Sequence, residues 1–540
     1  MEPTKEVGIL FGLAVGQRGS MTPRMLTRLP APPAPAVDER AILTGTGQDR
    51  MPYVEALRRF ASTHPVQAMV PGHSGAPEGG GDHLAEILGN AVVELDLPLM
   101  LDGIDLGAES PLQESLGLAA EAWGARRVWW LTNGASQGNR TAALAVRGLG
   151  ERVLVQRSAH SSFLDGVLLA GMIPSFVTPT IDHTHGVAHG LTPAALEAAL
   201  SAEAAAGHAV QSVYVVSPSY VGSVADVAGL ARVAHAHGAA LIVDGAWGAH
   251  FGFHPRLPEA PTRLGADLVI SSTHKLAGSL TQSAMLHLGE GPFADRLDPL
   301  VERAYAMTAS TSMSSVLMAS LDAARHTLIH GQDRVGEAIH RADQLRAELR
   351  ADGRFAVLDD GFIEFPDIVR VDPLRIAIDV SRLGQSGHWV RDRLAAAHGV
   401  YVEMSTARAI VAVFGALATP DVDRLVAALF AVAAEAEQLR AVGGDGVQQE
   451  FPRLPDPGPL RLPPREAYFG ESEVVSAAAA IGRISADTLA AYPPGIPNLM
   501  PGEEITRETV AFLRAVAASP TGHVRRAVDP AVATIRIVRA

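Results

Sequence analysis

The sequence predicts an α/β protein built around a mostly parallel β-sheet, and three observations indicate this fold class. Helix-like runs alternate with apolar runs, and one of them, "DVAGLARVAHAHG" (226–238), ends at a glycine. Nearly half of the 540 residues (47%) are apolar and only 5% are aromatic, as in alanine-rich globular proteins. The apolar runs are short and bounded, which is typical of strands covered on both faces and implies βαβ units. They are "RVWWLT" (127–132), "RVLVQR" (152–157), "SVYVVSP" (212–218), "ALIVDG" (240–245) and "DLVISS" (267–272).

Composition along the chain divides it into five predicted segments. Residues 1–48 form an extended tail that includes the Pro/Ala-rich stretch "RLPAPPAPAV", and residues 49–335 form a large ligand-binding domain. Residues 336–441 form a smaller α/β domain, and the Gly/Pro-rich residues 442–464 form a linker. Residues 465–540 form a C-terminal domain, which we expect to close on a strand near "TIRIV".

Composition also excludes several classes of function. The absence of cysteine excludes disulfides, thiolate nucleophiles and Cys-ligated zinc. A net charge of −14 argues against nucleic acid as a partner. The N-terminal apolar run lacks a positive flank and "AIVAVFGALA" (409–418) is too short to cross a bilayer, so we expect a soluble, cytoplasmic protein with no membrane contact. The histidines of "DHTHGVAH" are expected to lie in a solvated loop, and no metal site is predicted.

Polar residues follow the predicted strands at their carboxyl ends, where parallel α/β sheets bind ligands. The turn Gly134–Ala135–Ser136 follows the first strand and would expose free N–H groups at a helix N-terminus, which favours an anion. His160, Asp244 and Lys275 follow three other strands. Separately, each has a commoner structural explanation: a tight βα connection, an interior histidine, a helix N-cap or a solvated lysine.

Together, these four features meet the needs of pyridoxal phosphate. The cofactor requires a lysine amine that loses its proton easily in a pocket, which Lys275 offers. It requires a carboxylate at the pyridine nitrogen and a flat group over the ring, which Asp244 and His160 supply. The turn 134–136 would bind its phosphate. The sequence therefore predicts a pyridoxal phosphate site with Lys275 as the amine that binds the aldehyde.

At this point the sequence resembles the Orn/Lys/Arg decarboxylases, pyridoxal-phosphate enzymes of fold type I that decarboxylate basic amino acids. The resemblance is to their shorter branch, which lacks an N-terminal wing domain. It implies an aspartate-aminotransferase-like large domain, a smaller α/β domain, a C-terminal α+β domain and an obligate homodimer or dimer-based oligomer. The matching stretches include "MVPGHSG" (69–75), "LTNGASQGNRTAAL" (131–144), "RSAHSSFLDGVLLAG" (157–171), "ALIVDGAWGAHFGFHP" (240–255), "LGADLVISSTHKLAGSLTQSAMLH" (264–287), "TSMSSVLMASLDAAR" (311–325), "GVYVEM" (399–404) and "AAIGRISADTLAAYPPGIPNLMPGEEIT" (479–506).

The resemblance also implies roles for individual residues. Lys275 is similar to the family's Schiff-base lysine and later proton donor, and Asp244 is similar to the pyridinium partner. The remaining implied positions are His160 stacking on the cofactor ring, Ala246 beneath it with Trp247 beside it, Ala135, Ser136, Ser272 and His274 at the phosphate, Thr311 and Ser312 reaching the partner subunit's phosphate, and Glu403 and His73 near the substrate. His274 is also implied in catalysis, through Lys275.

Three departures from the family pattern bear on the substrate. Ser74 and Ser161 stand where the family often has lysine, and Trp247 stands where histidine is frequent, although tryptophan occurs in some lysine-type members. The expected activity is decarboxylation of lysine, arginine or ornithine to the corresponding amine. Two alternatives stay open: a pyridoxal-phosphate aminotransferase or other α-carbon chemistry, and an inactive cofactor-binding regulatory homologue.

Overall fold

A seven-stranded sheet forms the centre of the computed structural model, which describes residues 47–76, 78, 82–441, 455–492, 496–519 and 522–539. Most of the predicted N-terminal tail and residues 442–454 of the predicted linker lie outside the described residues. The strands of the large region, seven of which form the central sheet, are β1 (Arg127–Leu131), β2 (Arg152–Gln156), β3 (Ile173–Val177), β4 (Ile181–Asp182), β5 (Val187–Ala188), β6 (Ser212–Val216), β7 (Ser223–Val224), β8 (Ala240–Asp244), β9 (Leu268–Ser271) and β10 (Ala284–Leu288).

The central sheet is mostly parallel, which confirms the predicted fold class. Its strand order is β1-β10-β9-β8-β6-β2-β3, and the pairs β9/β8, β8/β6, β6/β2 and β2/β3 are parallel. β10 is antiparallel to both of its neighbours, β1 and β9, so β1 runs in the same direction as the parallel strands. The five predicted apolar runs are β1, β2, β6, β8 and β9, and all five end at the same edge of the sheet.

Helices cover both faces of this sheet, which explains why its strands are apolar throughout. Along β8, Ile242 packs into one core, while its neighbours Leu241 and Val243 pack into the core on the opposite face. The helices of the large region are α1 (Pro52–Ser62), α2 (Asp82–Leu88), α3 (Asn90–Leu95), α4 (Pro111–Trp123), α5 (Gly134–Val146), α6 (Ser161–Ala170), α7 (Pro193–Ala205), α8 (Val227–Ala236), α9 (Thr273–Leu276), α10 (Ala294–Thr308) and α11 (Ser315–His330). The predicted helix at 226–238 is α8, which Asp226 caps and which ends before Gly238 in the left-handed region (φ 72°).

A smaller antiparallel sheet follows, in the order β11-β13-β15-β14. Its region contains β11 (Ala356–Val357), β12 (Arg370–Val371), β13 (Arg375–Asp379), β14 (Met404–Ser405), β15 (Ala409–Val413), α12 (Gln332–Asp352), α13 (Gly387–His398) and α14 (Val422–Ala441). The contacts that join it to the large region include the pairing of β12 with β7 and the hydrogen bond that the Ala416 N–H donates to the Leu276 carbonyl at 2.9 Å. The second contact fixes the segment next to Lys275 against the small sheet.

The C-terminal region combines short strands and helices, and the predicted closing strand is confirmed as β20. The elements are α15 (Pro464–Phe469), β16 (Ser472–Ser476), α16 (Ala477–Ala480), β17 (Leu489–Tyr492), β18 (Ile496–Leu499), α17 (Arg507–Ala518), β19 (His523–Arg525) and β20 (Thr534–Val538). Two ion pairs connect this region to the large one, the buried Arg157–Glu503 pair (2.7 Å) and the Arg526–Asp165 pair (2.8 Å). Within the described residues, no helix is long and apolar enough to span a membrane.

The prediction of a solvated loop for the histidine-rich segment is wrong at two of its three histidines. His183 is exposed, but His189 is buried and its Nδ1 lies 2.9 Å from the Ser223 hydroxyl. His185 lies between two carboxylates, with Nδ1 2.5 Å from Asp182 Oδ2 and Nε2 3.5 Å from an Asp379 oxygen. The sequence reading overlooked Asp182 at the start of the segment and could not foresee Asp379, which comes from the small sheet.

Candidate active site

The helix that follows β1 begins at the predicted anion-binding turn. Gly134 opens α5 with φ 71°, a left-handed conformation that glycine adopts without strain. Its N–H is not free for a ligand, because it donates to the Gln282 carbonyl at 2.7 Å. This corrects the expectation for Gly134, whose contribution is the shape of the turn. Ala135 and Ser136 occupy the first helical turn, where N–H groups have no acceptor within the helix.

Asp244, the last residue of β8, is a buried carboxylate held by three donors. Its Oδ2 accepts hydrogen bonds from the Tyr214 hydroxyl (2.5 Å) and from Asn139 Nδ2 (3.1 Å), and its Oδ1 accepts the Ala246 N–H (3.1 Å). Only 5% of Asp244 is exposed, so these donors replace the water that a carboxylate otherwise requires. Burial, followed by the charge of Asp244, raises the pKa of Tyr214 well above its usual value, which keeps the phenol protonated as a donor.

His160 lies at the N-terminus of α6 and is connected to Asp244 through two polar side chains. The Ser162 N–H donates to His160 Nδ1 at 3.2 Å, so the neutral ring carries its proton on Nε2. Asn139 Nδ2 lies 3.0 Å from the Ser162 hydroxyl and 3.1 Å from Asp244, which links the two predicted residues. Burial lowers the pKa of His160, and the nearby Lys275 acts in the same direction, so the imidazole is neutral at pH 7.

Lys275 lies on the short turn α9, directly after β9, and its amine has no ion-pair partner among the described residues. Its Nζ lies 3.6 Å from the centroid of the Trp247 ring. Burial lowers the pKa of Lys275 to about 8, with the Arg375 cation adding to this effect, while Asp244 and Glu403 oppose it. An amine with this pKa is uncharged in a substantial fraction of molecules near neutral pH, and the uncharged form attacks an aldehyde.

The residues around Lys275 complete the strand-end cluster. Ser272 is buried immediately before α9, and His274 donates from Nδ1 to the Ser283 carbonyl at 2.8 Å, which leaves Nε2 for another partner. Burial lowers the pKa of His274, so this ring is also neutral at pH 7. Ala246 and Trp247 belong to the turn after Asp244.

Four predicted site residues form no hydrogen bond, ion pair or ring contact with this cluster among the described residues. Thr311 and Ser312 are exposed in the turn between α10 and α11. His73 pairs with Asp96, its Nε2 3.2 Å from Asp96 Oδ2. Glu403 is exposed ahead of β14, yet its charge acts on the pKa values of Lys275 and His274.

The sequence reading missed three polar residues that support the cluster. Asn139 and Tyr214 bind Asp244, and Arg375 lies against Trp247 with its Cζ 3.7 Å from the ring centroid. A polar side chain in an apolar strand was the available signal in "SVYVVSP" and "PLRIAIDVS". One further signal was the lysine content: Lys275 is one of only two lysines in the sequence, the other being Lys5.

The donor set fits pyridoxal phosphate. Within the described parts of the chain, the cluster offers an amine without an ion-pair partner, a buried carboxylate with three donors, a neutral imidazole and a helix N-terminus. These groups match the cofactor's aldehyde, pyridine nitrogen, ring face and phosphate in chemical type. The site therefore has the composition of a fold-type-I pyridoxal phosphate site.

Comparison with known proteins leads to the same class. Residues 51–363 match the major domain of the Orn/Lys/Arg decarboxylases, and residues 461–521 match their C-terminal domain. The chain is 32% identical to an arginine decarboxylase of Bacillus subtilis and 33% identical to one of Halalkalibacterium halodurans, each match covering 86% of this chain and 93% of the relative. In structure it is similar to lysine decarboxylase A from Pseudomonas aeruginosa, with a TM-score of 0.76 at 22% identity, covering 90% of this chain and 80% of that one.

The protein is thus a pyridoxal-phosphate-dependent decarboxylase of fold type I. More particularly, the chain belongs to the Orn/Lys/Arg decarboxylase family, which acts on basic amino acids, and the resemblance stated from its motifs is confirmed.

Proposed function

We propose that the enzyme decarboxylates L-arginine to agmatine and carbon dioxide. The choice of arginine is supported by four relatives named arginine decarboxylase at 32–33% identity, whereas a relative named lysine decarboxylase is 24% identical. The observation that carries the chemistry is the Lys275 amine, which has no ion-pair partner among the described residues and lies near a carboxylate, Asp244, that three donors hold in place.

Each site residue has a defined task in this proposal. Lys275 would hold the cofactor through Nζ, and the same atom would return a proton to the substrate Cα. Asp244 would hold a proton on the pyridine nitrogen, and Tyr214 and Asn139 keep its carboxylate in position. When bound, the cofactor supplies an electron-accepting ring for the pair left by departing carbon dioxide.

The remaining residues orient the cofactor and the substrate. The neutral His160 ring and Ala246 would hold the cofactor ring between them, with Trp247 next to Ala246 in the chain. The Ala135 and Ser136 N–H groups, with Ser272 and His274, would bind its phosphate. Neutral imidazoles suit a buried site, because they add no positive charge that would compete with the cofactor for the buried Asp244 carboxylate.

The active form in this proposal is a homodimer or a dimer-based oligomer. Thr311 and Ser312 are exposed, and among the described residues no hydrogen bond joins them to Lys275 of their own chain, which suits a role at the partner subunit's phosphate. Glu403, also exposed, binds the guanidinium of arginine as an anionic contact, and His73 lies near the substrate. A cytoplasmic location and a place in polyamine synthesis stay predictions.

Product identity tests the proposal. Protein loaded with pyridoxal phosphate is incubated separately with arginine, lysine and ornithine, and the products are identified by mass spectrometry. Agmatine from arginine, at a kcat/KM at least tenfold above that for the other two substrates, is the expected result. Cadaverine or putrescine as the main product would mean that lysine or ornithine, and not arginine, is the preferred substrate. Keto acids would indicate transamination, and three intact substrates would indicate the inactive homologue; either outcome would overturn the proposal.

A further inference from the structure

Trp247 lies between two cations. The Lys275 Nζ is 3.6 Å from the centroid of its ring, and the Arg375 Cζ is 3.7 Å from it. Two non-bonded groups this close to one centroid would overlap on a single face of the ring, so they occupy opposite faces. Lys275 follows a strand of the large sheet, whereas Arg375 opens β13 of the small sheet. The indole therefore connects the reactive amine to the other region of the molecule.

Backbone contacts fix the position of Arg375. Its Nη2 donates to the carbonyls of Tyr220 (2.7 Å) and Ser219 (3.3 Å). Gly222 lies against it in the left-handed region (φ 90°), and a Cβ there would approach the Arg375 Cβ to 2.7 Å. The side chain of Arg375 is thus held within the polypeptide with 1% of its surface exposed.

A buried contact between His250 and Asp372 anchors the segment before β13 to the loop that carries Trp247. His250 Nε2 lies 3.1 Å from Asp372 Oδ1, and both side chains are completely buried. The Arg375 N–H donates to the Asp372 carbonyl at 3.2 Å. His250 comes three residues after Trp247, and Asp372 comes three residues before Arg375. The His250–Asp372 contact therefore holds together the same two segments that carry Trp247 and Arg375.

The charge of Arg375 is unusual for so buried a group. Among the described residues it forms no salt bridge, and its Nε and Nη1 have no hydrogen-bond partner. Burial lowers the pKa of Arg375 to about 10, although Asp372 and Glu403 oppose the effect. The indole face supplies part of the missing solvation, since cation–π contacts are strongest where water is excluded. Arg375 is therefore a cation kept beside the active site at a cost in desolvation.

We propose that Arg375 is a positioning residue for Lys275, clamping the Trp247 ring from the far side and favouring, as a second nearby cation, the uncharged amine that binds the cofactor. This inference rests on the proposed role of Lys275. It also gives Trp247 a function at the position where the family often has histidine, because a histidine ring offers a smaller and more polar face to two cations.

Several other groups act on the same amine and must be held constant in any test. They are Asp244 after β8, Glu403 before β14, His160 at the start of α6, and His274 on α9. Asp244 and Glu403 favour the ammonium, and Arg375 disfavours it. Replacing Arg375 therefore has an effect of defined sign on Lys275.

The test measures the titration of the Lys275 amine in the full chain before cofactor is added. The protein is treated with acetic anhydride across pH 6–11, and acetylation of the Lys275 peptide is quantified by mass spectrometry; Lys5, the other lysine, reports the reagent concentration. In Arg375→Gln the labelling midpoint is expected to rise by about one pH unit, which is a tenfold slower reaction at pH 7. Arg375→Lys keeps the charge and is expected to stay within about 0.3 units of the unmodified protein.

Arg346→Gln is the matched control. Arg346 is also a buried arginine, and it donates to the carbonyls of Arg375 and Pro373 on the same segment, whereas the cation–π contacts of Trp247 among the described residues are with Lys275 and Arg375. Its removal is expected to lower stability without moving the Lys275 midpoint. Arg375→Met fills the same space without polar atoms and keeps the test decisive should the glutamine variant fail to fold.

Two results would overturn the inference. One is an unchanged midpoint in folded Arg375→Gln or Arg375→Met, and the other is an equal rise in Arg346→Gln. A second readout, the pH midpoint of the visible absorption of the cofactor-loaded protein, is expected to shift in the same direction. Failure of the proposed function would look different: basic amino acids would not be turned over, while the amine titration would stay as described.

Discussion

The two halves of the catalytic cluster differ in how fully their polar groups are satisfied. On the Asp244 side, both carboxylate oxygens accept hydrogen bonds from the chain itself: the donors are Tyr214, Asn139 and the Ala246 N–H. On the Lys275 side, two cations share one indole, and the amine has no ion-pair partner among the described residues. The difference indicates that the carboxylate is preorganised as a fixed charge, whereas the amine is left free to react.

The largest expected loss of activity comes from removing the Lys275 amine. Lys275→Ala is expected to lower kcat by at least about a thousandfold, because the amine both binds the cofactor and returns a proton. The visible absorption of the cofactor-loaded protein should disappear as well, which a spectrophotometric titration with pyridoxal phosphate measures. Lys5→Ala is the matched control and should keep both properties. If the visible absorption of the cofactor-loaded protein persisted in Lys275→Ala, a different amine would be the one that binds the cofactor.

A smaller but still large loss of activity is expected from neutralising the Asp244 carboxylate. Asp244→Asn preserves the shape of the side chain but removes its charge, so kcat is expected to fall by about a hundredfold or more. Tyr214→Phe removes one of the three donors and should cost about tenfold, since the remaining two still hold the carboxylate. Steady-state kinetics with the preferred substrate measures both. Equal losses in the two variants would mean that Tyr214 acts directly rather than through Asp244.

The sequence predicted the strand-end residues of this cluster better than the residues that support them. Asp244, Lys275 and His160 follow apolar runs, and ligands in parallel sheets bind at those strand ends. Asn139 and Tyr214 were missed because their partner lies on another strand, and a single sequence carries no record of such contacts. Their role became visible only when β6, β8 and α5 were placed side by side.

The same limit explains the errors elsewhere in the molecule. The Gly134 N–H was expected to be free, but the carbonyl that occupies it belongs to Gln282, far along the chain. Arg375 is a charged residue at the start of a strand whose interior is apolar, a pattern that indicates a buried charge but does not identify Trp247 as its partner. Fold class follows from local patterns such as strand length and hydrophobicity, whereas these contacts follow from how the segments pack.

The smallest expected effect is on stability and concerns His185, a cation with two carboxylate partners. His185 lies between Asp182 and Asp379 and so joins the β4–β5 hairpin to the small sheet. Although burial opposes it, bonding to the two carboxylates raises the pKa of His185 to about 9. Because this folded-state pKa lies above the unfolded value of about 6.5, the stabilisation is complete below pH 6.5 and is lost as the pH rises through 9.

This pairing predicts a pH-dependent difference in stability between His185→Gln and the unmodified protein. The linked free energy is about 2 to 3 kcal/mol at pH 7, so the variant should melt about 1 to 3 °C lower at pH 6 and show little difference at pH 10. His183→Gln is the matched control, since His183 is exposed on the same hairpin. Calorimetry at the two pH values measures both variants. A melting difference that stays constant from pH 6 to pH 10 would mean that His185 acts by packing rather than by charge. Electrostatics would then no longer explain the contrast between His185, which has two carboxylate partners, and Lys275, which has no ion-pair partner among the described residues.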